Sequence, residues 1–260
     1  MNQTGGGRDG GGEATKPTVT WDQARDIDRW MFEFIARLAH DVRAPLGAIR
    51  MWSHVLRGSD DSSDKQSGLN AIDASVRSHS DMIAMLVDMS SAIVGRLSLE
   101  RRAVNPLVQV RAALEIAAGE AKQRRVSLEP LQVSPGPAEP WLLADARRLE
   151  QLLVALLSFA VATTKTGGRV GTRATTTAGQ FELRISATHG MLGPDDVADL
   201  FTPYRPSAIA QPRPDFGLGL AFARALALLH EGTLEAAHSG PVDGLVFTLR
   251  LPTTAPAQSG

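Results

Sequence analysis

Cysteine is absent from all 260 residues, which removes disulfides, thiolate nucleophiles and thiolate zinc sites and suits a reducing compartment. Charge of one sign is missing too: 27 basic against 28 acidic side chains leave a formal net charge of −1. The arginine pairs at 101/102, 124/125 and 147/148 are too scattered for a basic stripe, so nucleic acid is not an expected partner. Long hydrophobic runs are lacking as well. The longest, LLVALLSFAVA from Leu152 to Ala162, falls well short of the roughly 20 residues that cross a bilayer, and no membrane association is expected. The opening MNQTGGGRDGGGEATKP has no apolar h-region, so it reads as a flexible lead-in over 1–18 rather than a signal peptide, and a cytoplasmic location is expected.

What is present is enough apolar residue, 43% of the chain, for a real core. From Thr20 and Gln23, a capping-box pair, apolar residues recur at Ile27, Met31, Phe34, Leu38, Val42, Ile49, Trp52 and Leu56, the spacing of one long helix. RGSDDSSDKQSG reads as a turn, and Leu69, Ile72, Val76, Ile83, Leu86, Ile93 and Leu97 then mark a second helix, with His79 and Ser90 as polar positions on its seam. The chain offers too little partner surface to cover the apolar face of such a hairpin, and each large side chain left wet forgoes roughly 1.5–3 kcal/mol. The expected solution is a homodimer in which two hairpins, residues 19–98, form a four-helix bundle.

From residue 99 to 253 the pattern becomes mixed. SLERRAV and VSLEPLQV read as strands, NPLVQVRAALEIAAGEAKQRR as a helix with Pro106 in its first turn, and WLLADARRLEQLLVALLSFAVATT as a short strand followed by a buried helix. GRVGTRATTTAGQFELRISA and TLEAAHSGPVDGLVFTLRLP alternate like hairpins; GPDDVADLF and LGLAFARALALLHEG read as helices, the latter ending near Gly232. Together they predict an α+β sandwich with helices on one face of a sheet of antiparallel hairpins. The tail 254–260 is expected to be disordered.

One short stretch carries chemistry. On a helical wheel of about 100° per residue, Phe34, Val42, Ile49 and Leu56 fall within about 40° of Leu38, whereas His40 lies near 200°. His40 therefore points to solvent, beside Asp41 and among the small residues Ala36, Ala44 and Gly47. Pro45 cannot donate to the carbonyl of Asp41, which loosens the helix next to the histidine. An adjacent carboxylate can orient an imidazole or accept its proton, the requirements for a histidine attacking a phosphoryl group.

FIARLAHDVRAPLGAIRMWSHVL resembles the phosphoacceptor helix of bacterial sensor histidine kinases, whose H-box reads His, acidic residue, three others, proline; His40, Asp41 and Pro45 match. The resemblance continues through LLADARRLEQLLVALL, through LFTPY, similar to the F-box, and through GLGLAFARALALLHEG, similar to the G2-box, covering about residues 20–252. It implies a dimerisation and phosphoacceptor hairpin followed by an ATPase-like sandwich of the GHKL type. It also implies His40 as phosphoacceptor, Asp41 as orienting group or base, and Ala36, Arg43, Ala44 and Gly47 as a docking face for response-regulator receiver domains. An upstream hybrid histidine kinase is a candidate donor. Ala44 replaces the threonine or asparagine that positions water in kinases that also dephosphorylate their receiver, which disfavours strong phosphatase activity.

The resemblance also exposes departures. In the family, the N-box helix carries two asparagines, the second of which holds magnesium; the matching positions are Ala155 and Phe159, neither of which can ligate a metal. In the G1-box, THGML gives Thr188 for the aspartate, keeps Gly190 and puts Leu192 where a second glycine belongs. Asp215 replaces the first glycine of the G2-box, leaving Gly217 and Gly219. Losing the metal clamp is expected to slow autophosphorylation by roughly three orders of magnitude, and no cofactor or metal is expected. The reading that follows is a histidine phosphotransfer protein, exchanging phosphoryl groups between His40 and receiver aspartates without autophosphorylation from ATP. Two alternatives stand beside it: an ATP-dependent sensor histidine kinase with an unconventional ATP site, and a non-catalytic pseudokinase scaffold.

Overall fold

The computed structural model describes residues 39, 42–43, 45–58, 61–93, 95–136, 139–177, 179–188, 192, 194–197, 199–202, 218–240 and 244–254. Helix α1 (residues 45–58, with 42 and 43 helical ahead of it) runs beside α2 (Ser62–Ile93). Half of the stretch read as a turn is in fact the first two turns of α2. The Asp61 carboxylate accepts the Ser63 N–H at 2.8 Å and thereby caps a helix start that propensity alone hides. Gly68 is buried because a Cβ there would meet Leu56 at 3.0 Å and Trp52 at 3.1 Å; its bareness lets the two helices close on each other next to the turn. At the far end Gly95, at φ 68°, and the Arg96 N–H bond to Ser91 O close α2 before Leu97, which lies in the linker and not on the helix.

The seam of α2 divides into two faces. Met82 and Met89 are buried, whereas Leu69, Val76 and Ile83 remain 54%, 49% and 58% exposed at heptad spacing. His79 is half-buried, but Ser90 is exposed and is no core position.

Beyond the linker, β1 (Arg102–Val104) pairs antiparallel with β4 (Leu142–Ala144). Between them lie α3 (Pro106–Arg124), β2 (Ser127–Leu128) and β3 (Gln132–Val133). Pro106 opens α3 under an Asn105 cap whose side chain accepts the Leu107 N–H, and Arg125 closes it in the left-handed region. Helix α4 (Ala146–Thr163) follows β4, then the hairpin β5 (Arg169–Thr177) and β6 (Gln180–Ala187), α5 (Pro194–Val197), α6 (Gly219–Leu229) and the hairpin β7 (Thr233–His238) and β8 (Leu245–Pro252). The larger sheet runs β2-β5-β6-β8-β7, with β3 also on β5.

Both expected hairpins form, with Thr172 opposite Ile185 in one and Ala236 opposite Phe247 in the other. The sheet is nevertheless mixed: β2 and β3 pair with β5 in parallel. The crossover through β4 and α4 brings the chain back in the same direction, which a purely antiparallel sheet does not allow. Alternation puts Phe181, Leu183 and Ile185 of β6 on the inner face, against Leu149, Leu152, Leu153, Leu156 and Leu157 of α4. Helix α6 stops at Leu229, three residues short of Gly232, because Glu231 takes φ 61° and the chain turns there. A Cβ on Gly232 would sit 2.3 Å from the Arg250 carbonyl, so the turn requires glycine. The chain end beyond β8 is held as far as Thr254, whose N–H donates to Trp141 O; the rest of the tail lies outside the described residues, as does the lead-in.

Candidate functional site

Of the residues assigned to phosphoryl chemistry and docking, Ala36, His40, Asp41 and Ala44 lie outside the described residues. Their helical neighbours do not. Arg43 and Gly47 are exposed one turn apart on α1, and a Cβ at Gly47 would meet nothing within 4 Å, so this face of the helix is open. Val42 faces inward and its carbonyl lies 3.0 Å from Nε2 of His79 on α2.

The expected nucleotide residues are only partly brought together. Ala155 and Phe159, one turn apart on α4, line a single cavity of about 450 Å³ with Gln151, Val154, Ser158 and Met85 of α2. Its wall is mostly hydrocarbon. Phe159 is 3% exposed, and its ring packs edge-on to Phe247 at 5.8 Å between centroids. Phe201, within the F-box, also packs on Phe247, tilted by 58° at 6.3 Å between centroids, and carries the Arg224 guanidinium 5.2 Å above its own ring. A fully packed aromatic ring and a methyl group give magnesium no oxygen, so these two N-box positions do not fit the metal that the kinase resemblance implies. Among the described residues no cluster of three His, Asp or Glu could hold a metal ion.

Thr188, Leu192 and Gly219 stand apart from that cavity. The Thr188 hydroxyl accepts the Arg169 N–H at 2.8 Å and lies 3.2 Å from the Arg169 carbonyl, so it closes the β5–β6 ladder instead of standing ready for an adenine amino group. Leu192 is buried in the core, and Gly219 is the first residue of α6. Gly190, Asp215 and Gly217 lie outside the described residues.

Sequence reasoning missed the polar cluster that joins the hairpin to the sandwich. Asp145 caps α4 by accepting the Arg148 N–H at 3.1 Å and also accepts the Glu100 N–H of the linker at 3.1 Å. Burial opposes its charge, but these two bonds and the positive charge of Arg147 prevail and hold the carboxyl below its ordinary value. His230 accepts the Asp145 N–H at Nε2, which fixes its proton on Nδ1, where it donates to Leu226 O at 2.8 Å. Burial pushes this imidazole below its ordinary value. Arg148, side chain 9% exposed, grips the Asp88 carboxylate of α2 with both terminal nitrogens. The DxxR spacing within LLADARRLEQLL was the one available signal, and it names neither partner.

Two family models match in order: the His Kinase A (phospho-acceptor) domain over residues 31–95, and the histidine kinase-, DNA gyrase B- and HSP90-like ATPase over residues 144–255. Curated relatives include Histidine protein kinase DivJ of Caulobacter vibrioides, 30% identical over 84% of this chain and 37% of that protein. Sensor protein DivL of the same organism is 29% identical over 88% of this chain and 29% of its own length. The chain thus spans well under half of these relatives. Among solved structures, the Acinetobacter baumannii histidine kinase AdeS superposes at TM-score 0.61 with 21% identity, covering 83% of this chain and 98% of that one. Full-length ShkA in complex with AMPPNP superposes at 0.63 with 21% identity, covering 85% of this chain and 46% of its own.

These matches correct the sequence reading. A phosphotransfer protein without autophosphorylation is overturned, because the two matched models together are the phosphoacceptor and ATPase modules of a kinase, and the pseudokinase reading gains no support from them. The reading failed by treating departures at Ala155, Phe159, Thr188, Leu192 and Asp215 as the loss of the whole pocket; the α4 face that carries the first two still walls a cavity.

Proposed function

The chain belongs to the bacterial sensor histidine kinase family, and on that premise we propose that it is the transmitter part of a two-component kinase with an unconventional ATP site. His40 is the phosphoacceptor, its ring attacking the γ-phosphoryl group of ATP, and Asp41 orients the ring and takes up its proton. Arg43 and Gly47, exposed on α1 with Ala36 and Ala44 in the same H-box segment, form the face to which a response-regulator receiver docks and removes the phosphoryl group.

One observation carries the reading: both N-box positions of α4 line one cavity that reaches the hairpin helix at Met85. On this reading the nucleotide occupies the cavity beside the two N-box positions, which Met85 brings next to the hairpin. The apolar part of the lining suits the face of an adenine ring, and Arg147 is the lining cation, beside the carboxylates of Glu120 and Glu150. No step is assigned to a metal held by Ala155 or Phe159, which offer it no oxygen. No described helix is long and apolar enough to cross a membrane.

A second copy of the chain completes the hairpin. Leu69, Val76 and Ile83 repeat every seven residues on the outer face of α2, the pattern that a four-helix bundle buries.

The test is incubation with γ-labelled ATP. Acid-labile label on the wild type and none on His40→Ala supports the kinase; a wild type that stays unlabelled through a long incubation, while calorimetry detects no nucleotide binding, overturns it.

A further inference from the structure

The phosphoacceptor turn is tied to the opposite helix by a second histidine. His79, half-buried on α2, places Nε2 3.0 Å from the carbonyl of Val42 on α1 and Nδ1 3.1 Å from the carbonyl of Ser75, one turn back on its own helix. A carbonyl oxygen only accepts and a neutral imidazole carries one N–H, so with that proton on Nε2 the ring donates to the Val42 carbonyl. Val42 is two residues beyond His40 and three before Pro45. Pro45 carries no N–H and so donates no ladder bond to the preceding turn, which weakens a helix there. His79 meets that weakness from the side: within hydrogen-bond distance it anchors the backbone of the turn through a helix that Gly68, Leu56 and Trp52 hold closely packed.

A seam position gains nothing in burial from an imidazole. A leucine or methionine there would cover more apolar surface and need no partner, and the buried neighbours Met82 and Met89 are of that kind. The polar ring at this one place, bonded to this one carbonyl, serves geometry. Misplacing a reacting group by about 1 Å can cost about a hundredfold in rate, so an anchor two residues from the nucleophile has a large lever.

We propose that His79 is a positioning residue for phosphoryl transfer at His40, holding the H-box turn through the Val42 carbonyl; this rests on the reading of His40 as phosphoacceptor. The experiment uses the whole chain and a small phosphodonor, phosphoramidate, so that no nucleotide site is involved. Its N–P bond breaks with loss of ammonia, a new N–P bond forms to the imidazole, and the proton displaced from the ring goes to the ammonia. Phosphorylation is mapped by peptide at residue 40 and, as internal reference, at His54, which is exposed farther along α1. The expected result is that His79→Leu lowers the His40-to-His54 labelling ratio at least fivefold while melting at or above the wild-type temperature. His79→Gln, whose amide keeps a donor, should return the ratio to within about twofold of wild type. An unchanged ratio in His79→Leu, a Gln variant as slow as Leu, or a loss that merely follows a lowered melting temperature overturns the proposal. In the wild type, a residue 40 that takes no phosphoryl group while His54 does would remove the phosphoacceptor reading itself, and the proposal with it.

Discussion

Arg148, in the first turn of α4, donates Nη2 to Oδ1 of Asp88 on α2 at 2.8 Å, and its Nη1 donates to the other carboxylate oxygen and to Gln151 Oε1. The fork is bidentate and nearly buried, and it is the direct charged link between hairpin and sandwich among the described residues. Its strong hydrogen bond to Asp88 raises the guanidinium further above its already high value, so the cation persists under any working condition. Cutting one partner strands the other. Asp88→Ala is expected to lower stability by about 3 kcal/mol, read from urea denaturation, whereas Asp88→Leu combined with Arg148→Met recovers most of it. A single variant as stable as wild type would show that the pair is solvated in solution.

The His230–Asp145 contact predicts acid sensitivity in two stages. His230 is held below its ordinary value, so between the unfolded pKa near 6.5 and its lower folded value the unfolded chain binds more protons. Stability is therefore whole above that window and falls as pH drops through it. Asp145, also lowered, contributes stability that is present above the ordinary carboxylate value of 3.8 and lost as pH falls through its folded value. The expected observation is a melting temperature that declines from pH 7.5 to 5.5 in the wild type and declines less in His230→Gln. Equal slopes would assign the acid sensitivity elsewhere.

Most elements were legible because their signals are local. Period-two alternation wrote out β5, β6, β7 and β8, and Pro106 marked a helix start by acting within its first turn. The failures are non-local. That β2 runs parallel to β5 depends on the route through α4, which no window of residues contains. Asp61 capped a helix hidden in polar sequence, and Ser90 fell on an apparent seam that the true helix phase turns outward. At the site, Ala155 and Phe159 were identified as substitutions, but that they share a cavity with Met85, fifty or more residues earlier, follows only from packing. Arg148 and His79 found their partners 60 and 37 residues away in the chain, which is why chemistry at the hairpin junction stayed invisible.

The outer stripe of α2 predicts a dimer that polar substitution divides. Leu69, Val76 and Ile83 keep about half of their surface wet in the single chain. Each such side chain, once buried, contributes roughly 1.5–3 kcal/mol, and about 1.4 kcal/mol is tenfold in an equilibrium constant. Ile83→Glu is therefore expected to weaken self-association at least tenfold by sedimentation equilibrium, with the far-ultraviolet spectrum unchanged. Undiminished dimerisation would place the interface on another face.

Phe159 and Ala155 separate packing from ligand binding on one helix turn. The Phe159 ring is buried against Phe247, so Phe159→Ala removes contacts that the surrounding core cannot refill and is expected to cost about 3–5 kcal/mol. Ala155 is half-buried on the cavity wall, where a polar side chain can face solvent; Ala155→Asn should change stability by less than about 1 kcal/mol. That asparagine also places an amide at the first N-box position, where its N–H groups can donate to a phosphate. Calorimetric titration is expected to show Mg-ATP binding about tenfold tighter in Ala155→Asn than in wild type. The same titration with a nucleotide lacking the γ-phosphate should show a smaller gain. If Ala155→Asn binds no tighter and Phe159→Ala melts like wild type, the cavity is neither a nucleotide pocket nor a packed part of the core, and both roles given to this face of α4 fail together.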